Sequence, residues 1–407
     1  MSSWRRNVWI VGLASLVTMV GMYAFVPFFP DVLRGMGIHD DATVKIWSGV
    51  LVAAAPLAAC VMGPVWGALG DLSGRNKAMM VRSLAAIAVF VGAMGWACWP
   101  GAGGGPWILL WLRLGQGAFS GFIAPALTLA TAAAPEEEHR RITTLCQTAL
   151  VIGGLLGPSI GGVLASRMGA HWGFLFCGAT ALVSTLLVVF LAEESEGPSE
   201  AGAPSSGGIG RGLRRAWEDA RANFAIEGMM ALMIGIFLFQ TAATLIQPVM
   251  RLHVERFHEI PAVRMAECAG WAFTAVAAGQ ILFAWLWVRW MDQVGTARSL
   301  PLTAVLTALA YAPQGLMTAA RPFLGLRFLQ GAVGAATVPA AYAHVARLAP
   351  VSRRGGAYGL ALSSFQFANV VGPLAGGVLS ARFGTGPLFL VSAILLAAAS
   401  LWMRGNL

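Results

Sequence analysis

The stretch LLGPSIGGVLASRMG, Leu155 to Gly169, returns as VVGPLAGGVLSARFG, Val370 to Gly384. Gly157-Pro158 falls on Gly372-Pro373, Gly161-Gly162 on Gly376-Gly377 and Arg167 on Arg382. In a soluble chain, GGLLGPSIGG from Gly153 to Gly162 would mark a loop, because glycine weakens helices and proline breaks them. Yet apolar sequence continues on both sides, from Ile142 to Ala165. In lipid, Gly and Pro are tolerated within a span because neighbouring groups re-satisfy the backbone. Gly153, Gly157 and Gly161 are spaced by four, so they form one smooth helix stripe along which another helix approaches closely. Pro158 beside the stripe permits a bend. The stretch therefore reads as a membrane helix seam, used twice.

The duplication extends beyond this helix. LRLGQGAFSGFIAP, Leu112 to Pro125, matches LRFLQGAVGAATVP, Leu326 to Pro339, pairing Arg113 with Arg327 and Gln116 with Gln330. GALGDLSGR, Gly67 to Arg75, has a worn counterpart in VRWMDQVG, where Asp292 and Gly295 keep the D-x-x-G core.

Composition agrees with a membrane setting. The 407 residues are 57% hydrophobic and 11% charged, with mean hydropathy +0.71. A soluble domain is about 25% charged, so much of this surface must face lipid. The five cysteines form no CxxC pair, which argues against a zinc site or a disulfide framework. The net charge of +9 is dispersed over short loops, unlike a nucleic-acid face.

Runs of about 20 apolar residues cross a bilayer. Twelve are expected, at 8–33, 47–70, 76–99, 106–134, 142–165, 171–192, 228–251, 268–291, 299–319, 322–348, 356–380 and 386–403. With the N-terminus inside, seventeen Lys and Arg residues fall on the inner side and eight on the outer, leaving Arg113 and Arg327 within spans. That bias places both termini in the cytoplasm. The expected fold is an all-α membrane protein of twelve transmembrane helices in two six-helix pseudo-repeats. Its parts are an N-terminal bundle at 1–192, a cytoplasmic linker at 193–227 and a C-terminal bundle at 228–407. A short basic amphipathic helix is expected within the linker at 213–222. Such a duplicated bundle suits alternating access around a site near the midplane.

These motifs resemble the major facilitator superfamily over essentially the whole chain. GALGDLSGRNK, Gly67 to Lys77, looks like its signature between spans 2 and 3, and LRLGQG with Arg113 resembles its span-4 motif. GGLLGPSIGG resembles the span-5 motif of the twelve-span drug:proton antiporter branch, which includes multidrug and tetracycline-type exporters. The resemblance implies secondary transport, in particular proton-coupled efflux of small amphipathic compounds. It also implies the bacterial inner membrane, a monomer, and protons and small molecules as partners. Export of sugars or other metabolites, and a non-transporting sensor on the same fold, stand as alternatives. No cofactor, metal or nucleic acid is expected, and no enzyme activity. GPSIG at Gly157 to Gly161 matches the nucleophile-elbow pattern of hydrolases, but its setting in a span lacks the strand, Asp and His that pattern needs. A Walker-type ATP loop is missing from the sequence.

Candidate site residues follow from charge and polarity within the spans. Arg113 is costly at its depth, by roughly 2.5–3.5 kcal/mol at a helix centre, and calls for a partner or a cavity. Asp31, which ends the apolar run of span 1, is its expected partner. Asp71 and His344 are further proton-coupling candidates. Gly67, Asp71, Gly74, Arg75 and Lys77 are expected to form a charge-assisted conformational gate, with Gly67 allowing close helix approach. Gly153, Gly157, Pro158, Gly161, Gly162, Gly372 and Pro373 form the helix seam. A neutral cavity is expected from Tyr23, Phe28, Gln116, Phe239, Gln240, Gln247, Gln280, Gln330, Phe365, Gln366 and Asn369, which suits a hydrophobic or weakly polar compound.

Overall fold

In a computed structural model, residues 3–73, 75–194, 218, 221–350 and 353–406 are described. They are helical almost throughout, because long apolar runs in lipid must satisfy their own backbone groups. Gly74 and most of the expected linker helix at 213–222 lie outside the described residues.

The chain forms two compact units that do not follow chain order. The first comprises residues 1–37 and 57–213, the second 38–56 and 214–407. The sequence assigns 38–56 to the N-terminal bundle, whereas its contacts belong to the second unit. The physical reason is a glycine–glycine approach: a Cβ on Gly49 would lie 2.5 Å from the Pro373 carbonyl oxygen and 3.0 Å from Gly377 Cα.

The first unit holds helices α1 (Ser3–Phe25), α2 (Phe29–Gly35), α4 (Asn76–Ala97), α5 (Pro106–Phe119), α6 (Ile123–Thr131), α7 (Glu136–Arg167) and α8 (His171–Leu191). Helix α3 (Asp41–Ser73) is shared between the units. The second unit holds α9 (Met229–Thr244), α10 (Met250–Val254), α11 (Met265–Val294), α12 (Thr296–Tyr311), α13 (Ala320–Gly334), α14 (Thr337–Leu348), α15 (Arg354–Phe383) and α16 (Pro387–Asn406). Their pairings repeat. Helix α1 packs on α7 and α8 as α9 packs on α15 and α16, and α4 packs on α8 and α5 as α12 packs on α16 and α13.

Ten helical stretches among the described residues are long and apolar enough to cross a membrane. The other two expected spans are broken. In the ninth, α12 gives way at Ala312 to a 3-10 turn, Ala312–Leu316, that contains Pro313. In the tenth, α13 stops at Gly334 and α14 restarts at Thr337. The fourth span breaks at the equivalent place, between Phe119 and Ile123, where Gly121 takes φ +118°. The first and seventh spans also match, each interrupted by a 3-10 turn around a proline, Pro27 in one and Pro248 in the other. Missing N–H groups at these prolines explain the interruption.

A broken helix leaves carbonyls without their usual donors. In both units an indole supplies one. Trp66 Nε1 donates to the Ala118 carbonyl at 2.7 Å, and Trp287 Nε1 to the Ala332 carbonyl at 2.7 Å. The two tryptophans stand five residues before Asp71 and Asp292, so the device belongs to the duplication.

Candidate functional site

The two span arginines occupy equivalent settings. Arg113 in α5 is 3% exposed, and its Nη1 donates to Gln116 Oε1 at 2.5 Å. One turn separates the two residues, so the side chains share a helix face. The guanidinium carbon lies 5.6 Å from the ring centroids of both Phe25 and Phe29, within cation–π range. Gln116 Nε2 in turn reaches Met22 Sδ at 3.4 Å. Asp31 stands in the first turn of α2, two residues beyond Phe29.

In the second unit Arg327, in α13, is also 3% exposed. Its Nη1 donates to Gln330 Oε1 at 2.9 Å, its Nε to the Ala272 carbonyl at 3.2 Å, and its guanidinium lies 5.6 Å from the Phe273 ring. Gln330 Oε1 also accepts from Gln314 Nε2 at 3.1 Å. Both arginines are thus held by amide oxygens and aromatic faces, an arrangement suited to a buried cation.

The glycine stripe of α7 lies on α1. A Cβ on Gly153 would come 2.5 Å from Met19 Cβ, and one on Gly157 would come 2.6 Å from the Val20 carbonyl. At Gly161 it would overlap the Ala24 carbonyl. The second copy lies on α9, where Gly372 abuts Thr244 and Gly376 would overlap the Leu245 carbonyl. Pro158 and Gly162 are buried beside the first stripe.

Several of the polar cavity candidates do come together in the second unit. Gln240 Nε2 donates to Asn369 Oδ1 at 2.8 Å, and Asn369 Nδ2 to Gln366 Oε1 at 3.1 Å. Beside this amide chain Phe365 stacks with Tyr342, centroids 6.0 Å apart, and Tyr342 meets Tyr358 at 5.7 Å. Tyr23, 45% exposed, lies in the first unit.

A sequence profile of the Major Facilitator Superfamily matches residues 11–259 and 232–406. The chain belongs to the Major Facilitator Superfamily. It is 28% identical to the uncharacterized MFS-type transporter YuxJ of Bacillus subtilis, over 97% of each chain. It is 26% identical to the multi-drug resistance efflux pump PmrA homolog of Lactococcus lactis, over 93% of this chain and 89% of that one. Among solved structures, a bacterial homolog of the human lysosomal transporter Spinster, inward-facing and occupied, superposes with a TM-score of 0.79. That match has 13% identity and covers 100% of this chain and 97% of the other.

Within this superfamily fold, other candidates are placed differently from expectation. Phe28 has no exposed surface, and Gln116 and Gln330 are buried on the arginines, so these three line no accessible cavity in this structure. Polar or aromatic character within a span marks them in the sequence, but it does not reveal which face meets a neighbouring helix. Phe239 is 9% exposed, Gln247 half-buried and Gln280 exposed.

At the expected gate, a Cβ on Gly67 meets open space among the described residues, so the close approach expected there is not made. Asp71 lies in the last turn of α3; its side chain and Gly74 lie outside what the structure describes. Arg75 is exposed at the start of α4. Lys77 Nζ donates to the Val189 and Ala192 carbonyls at 2.9 and 2.7 Å, and its backbone N–H to Glu194 Oε1 at 3.0 Å. A cation on the free carbonyls at the end of α8 is favoured by the helix dipole. His344, 6% exposed, places Nδ1 2.9 Å from Thr296 Oγ1.

Residues overlooked in the sequence include Trp66 and Trp287, Tyr342 and Tyr358, and His253. The two tryptophans were accessible to the repeat comparison, which had already paired Asp71 with Asp292. His253 sits in RLHVERFHE, Arg251 to Glu259, whose polarity resembles a loop.

Proposed function

We propose that the protein is a monomeric, proton-coupled exporter of small amphipathic compounds, working by alternating access in a bacterial inner membrane with both termini cytoplasmic. The observation that carries this reading is the neutral cluster of Gln240, Gln366 and Asn369 beside Phe365 and Tyr342. Amides flanked by aromatic rings bind weakly polar, hydrophobic compounds through a few directed hydrogen bonds and a large apolar contact. A charged nutrient would need fixed counter-charges there. The efflux pumps among its relatives, by their names, agree in substrate class.

Arg113 with Asp31, and Asp71 at the cytoplasmic end of span 2, carry the proton and the gate in this reading. A carboxylate whose charge is balanced by a nearby cation exchanges that partner for a proton or a cationic compound. The glycine seams let the helices of each unit move as packed bodies with little room for ions to pass between them.

Expression in a drug-sensitive bacterium tests the proposal. The intact protein raises tolerance to several unrelated amphipathic compounds, and Asp71→Asn abolishes that gain while the protein still reaches the membrane. Replacing both Gln240 and Asn369 by alanine changes which compounds are tolerated. Unchanged susceptibility across the panel, with the protein present in the membrane, contradicts export.

A further inference from the structure

The second unit contains a buried histidine that the site above does not use. His253, in α10, has no exposed surface. The rings of Phe257, Phe323 and Phe389 enclose it, at centroid distances of 5.8, 5.4 and 4.6 Å. Nδ1 lies 3.1 Å from Thr385 Oγ1. Nε2 is buried and meets no partner at hydrogen-bond geometry, although the Gln314 backbone lies beside the ring. Burying a polar nitrogen in this way costs about 1–3 kcal/mol. An apolar residue would fill a phenylalanine box without that cost, so packing alone does not account for an imidazole here.

The hydrogen-bond partner of the histidine borders a pocket. Thr385, which holds Nδ1, lines a pocket of about 430 Å³ whose walls include Asp41, Lys45, Glu255 and Arg256. On the inner side, Gln314 bonds to Gln330, and Gln330 to Arg327. Thr385 and His253 thus stand between an open pocket and the buried arginine of this unit.

The surrounding charges are known from each packed element. Arg256, on the segment after α10, and Arg327, on α13, both act on the ring. Arg256 Nη1 is held by the Gly315 carbonyl at 2.9 Å. Glu255 pairs with Arg251 at 3.1 Å, and Glu267 of α11 with Arg264 at 3.4 Å. The 3-10 turn Ala312–Leu316 presents Gln314, and the segment between α15 and α16 presents Thr385. Asp41 and Lys45 stand in the pocket wall.

We propose that His253 is a proton-binding site of the C-terminal half, loaded from the pocket through the Thr385 hydroxyl. When Thr385 donates to Nδ1, Nε2 carries the ring hydrogen. A proton from pocket water adds to Thr385 Oγ1 while that hydroxyl passes its own hydrogen to Nδ1. The donor is hydronium, which becomes water; Thr385 is restored, and the ring becomes imidazolium. The product is a third cation beside Arg256 and Arg327, inside a box of phenyl rings. Protonation therefore favours an arrangement in which α10 is packed differently from the one seen here. By linkage, a change of conformation that exposes the ring binds the proton, and one that rebuilds the box releases it. This inference rests on the proton-coupled reading above and adds a site to it.

The test uses the full-length protein in proteoliposomes, with ethidium as the probe. Wild-type and His253→Gln proteins are compared in two assays: ethidium uptake driven by an acidic lumen across a range of pH values, and ethidium exchange at equal pH. Glutamine still bonds to Thr385 but takes no proton. The expected result is that exchange persists in His253→Gln while the acceleration by the gradient, with its pH dependence, is lost. Thr385→Val, which keeps the imidazole and removes the relay, is expected to slow the gradient-driven rate and to serve if His253→Gln fails to fold. Gradient-driven uptake with the wild-type pH profile in either folded variant overturns the inference and leaves proton coupling intact. A wild-type protein that exchanges ethidium but ignores the gradient overturns both.

Discussion

Arg113 was legible because it is a lone charge inside an apolar run, and its equivalent Arg327 because the motif repeats. Their surroundings were less legible. That Gln116 and Gln330 serve the guanidinium groups follows from the one-turn spacing, but the phenyl faces come from Phe25, Phe29 and Phe273, far away in sequence. Removing one member of a buried charge pair costs about 3–5 kcal/mol because the other charge is left uncompensated, whereas replacing both members is often neutral. Arg113→Met is therefore expected to lower the unfolding midpoint and to lose transport, and Arg113→Met combined with Asp31→Asn to recover the midpoint but not transport. Thermal unfolding in detergent alongside vesicle transport separates the two. A midpoint unchanged by Arg113→Met alone would remove Asp31 as its partner. His253 escaped the sequence reading for the opposite reason: its neighbours Arg251, Glu255 and Arg256 are polar, while the residues that bury it, Phe323 and Phe389, belong to other helices.

Among elements, the glycine seam was readable as a spacing, and the structure adds which glycines are under most constraint. A Cβ on Gly161 would overlap a backbone carbonyl, whereas one on Gly154 would lie 3.4 Å from the Tyr23 ring, an ordinary contact. Overpacking a tight site costs about 1–3 kcal/mol. Gly161→Ala is accordingly expected to lower the unfolding midpoint by that equivalent, and Gly154→Ala to leave it nearly unchanged; equal effects would place the tight contact elsewhere. The helix breaks were only partly legible. Pro27 and Pro248 announce theirs, and Gly121 permits the interruption after Phe119, but that Trp66 takes the freed Ala118 carbonyl depends on a residue 52 positions away. Trp66→Phe keeps the ring and removes the donor. It is expected to cost about 1–3 kcal/mol by leaving that acceptor unpaired, measured by the same unfolding assay.

For the whole molecule, the duplication was plain from paired motifs at fixed offsets, and it correctly forecast matching helix pairings in the two units. The placement of residues 38–56 was not, because it depends on Gly49 meeting Pro373 and Gly377, a contact between residues more than 300 positions apart. Helix α3 therefore contributes residues to both units. In the proposed function, coupling to protons gives alternating access its direction. The most direct test is uptake of an amphipathic compound into proteoliposomes with an imposed pH gradient. An antiporter carries the compound inward when the lumen is acidic, and uptake ceases when an ionophore collapses the gradient. Uptake indifferent to the gradient, or faster when the lumen is alkaline, would contradict proton-coupled export.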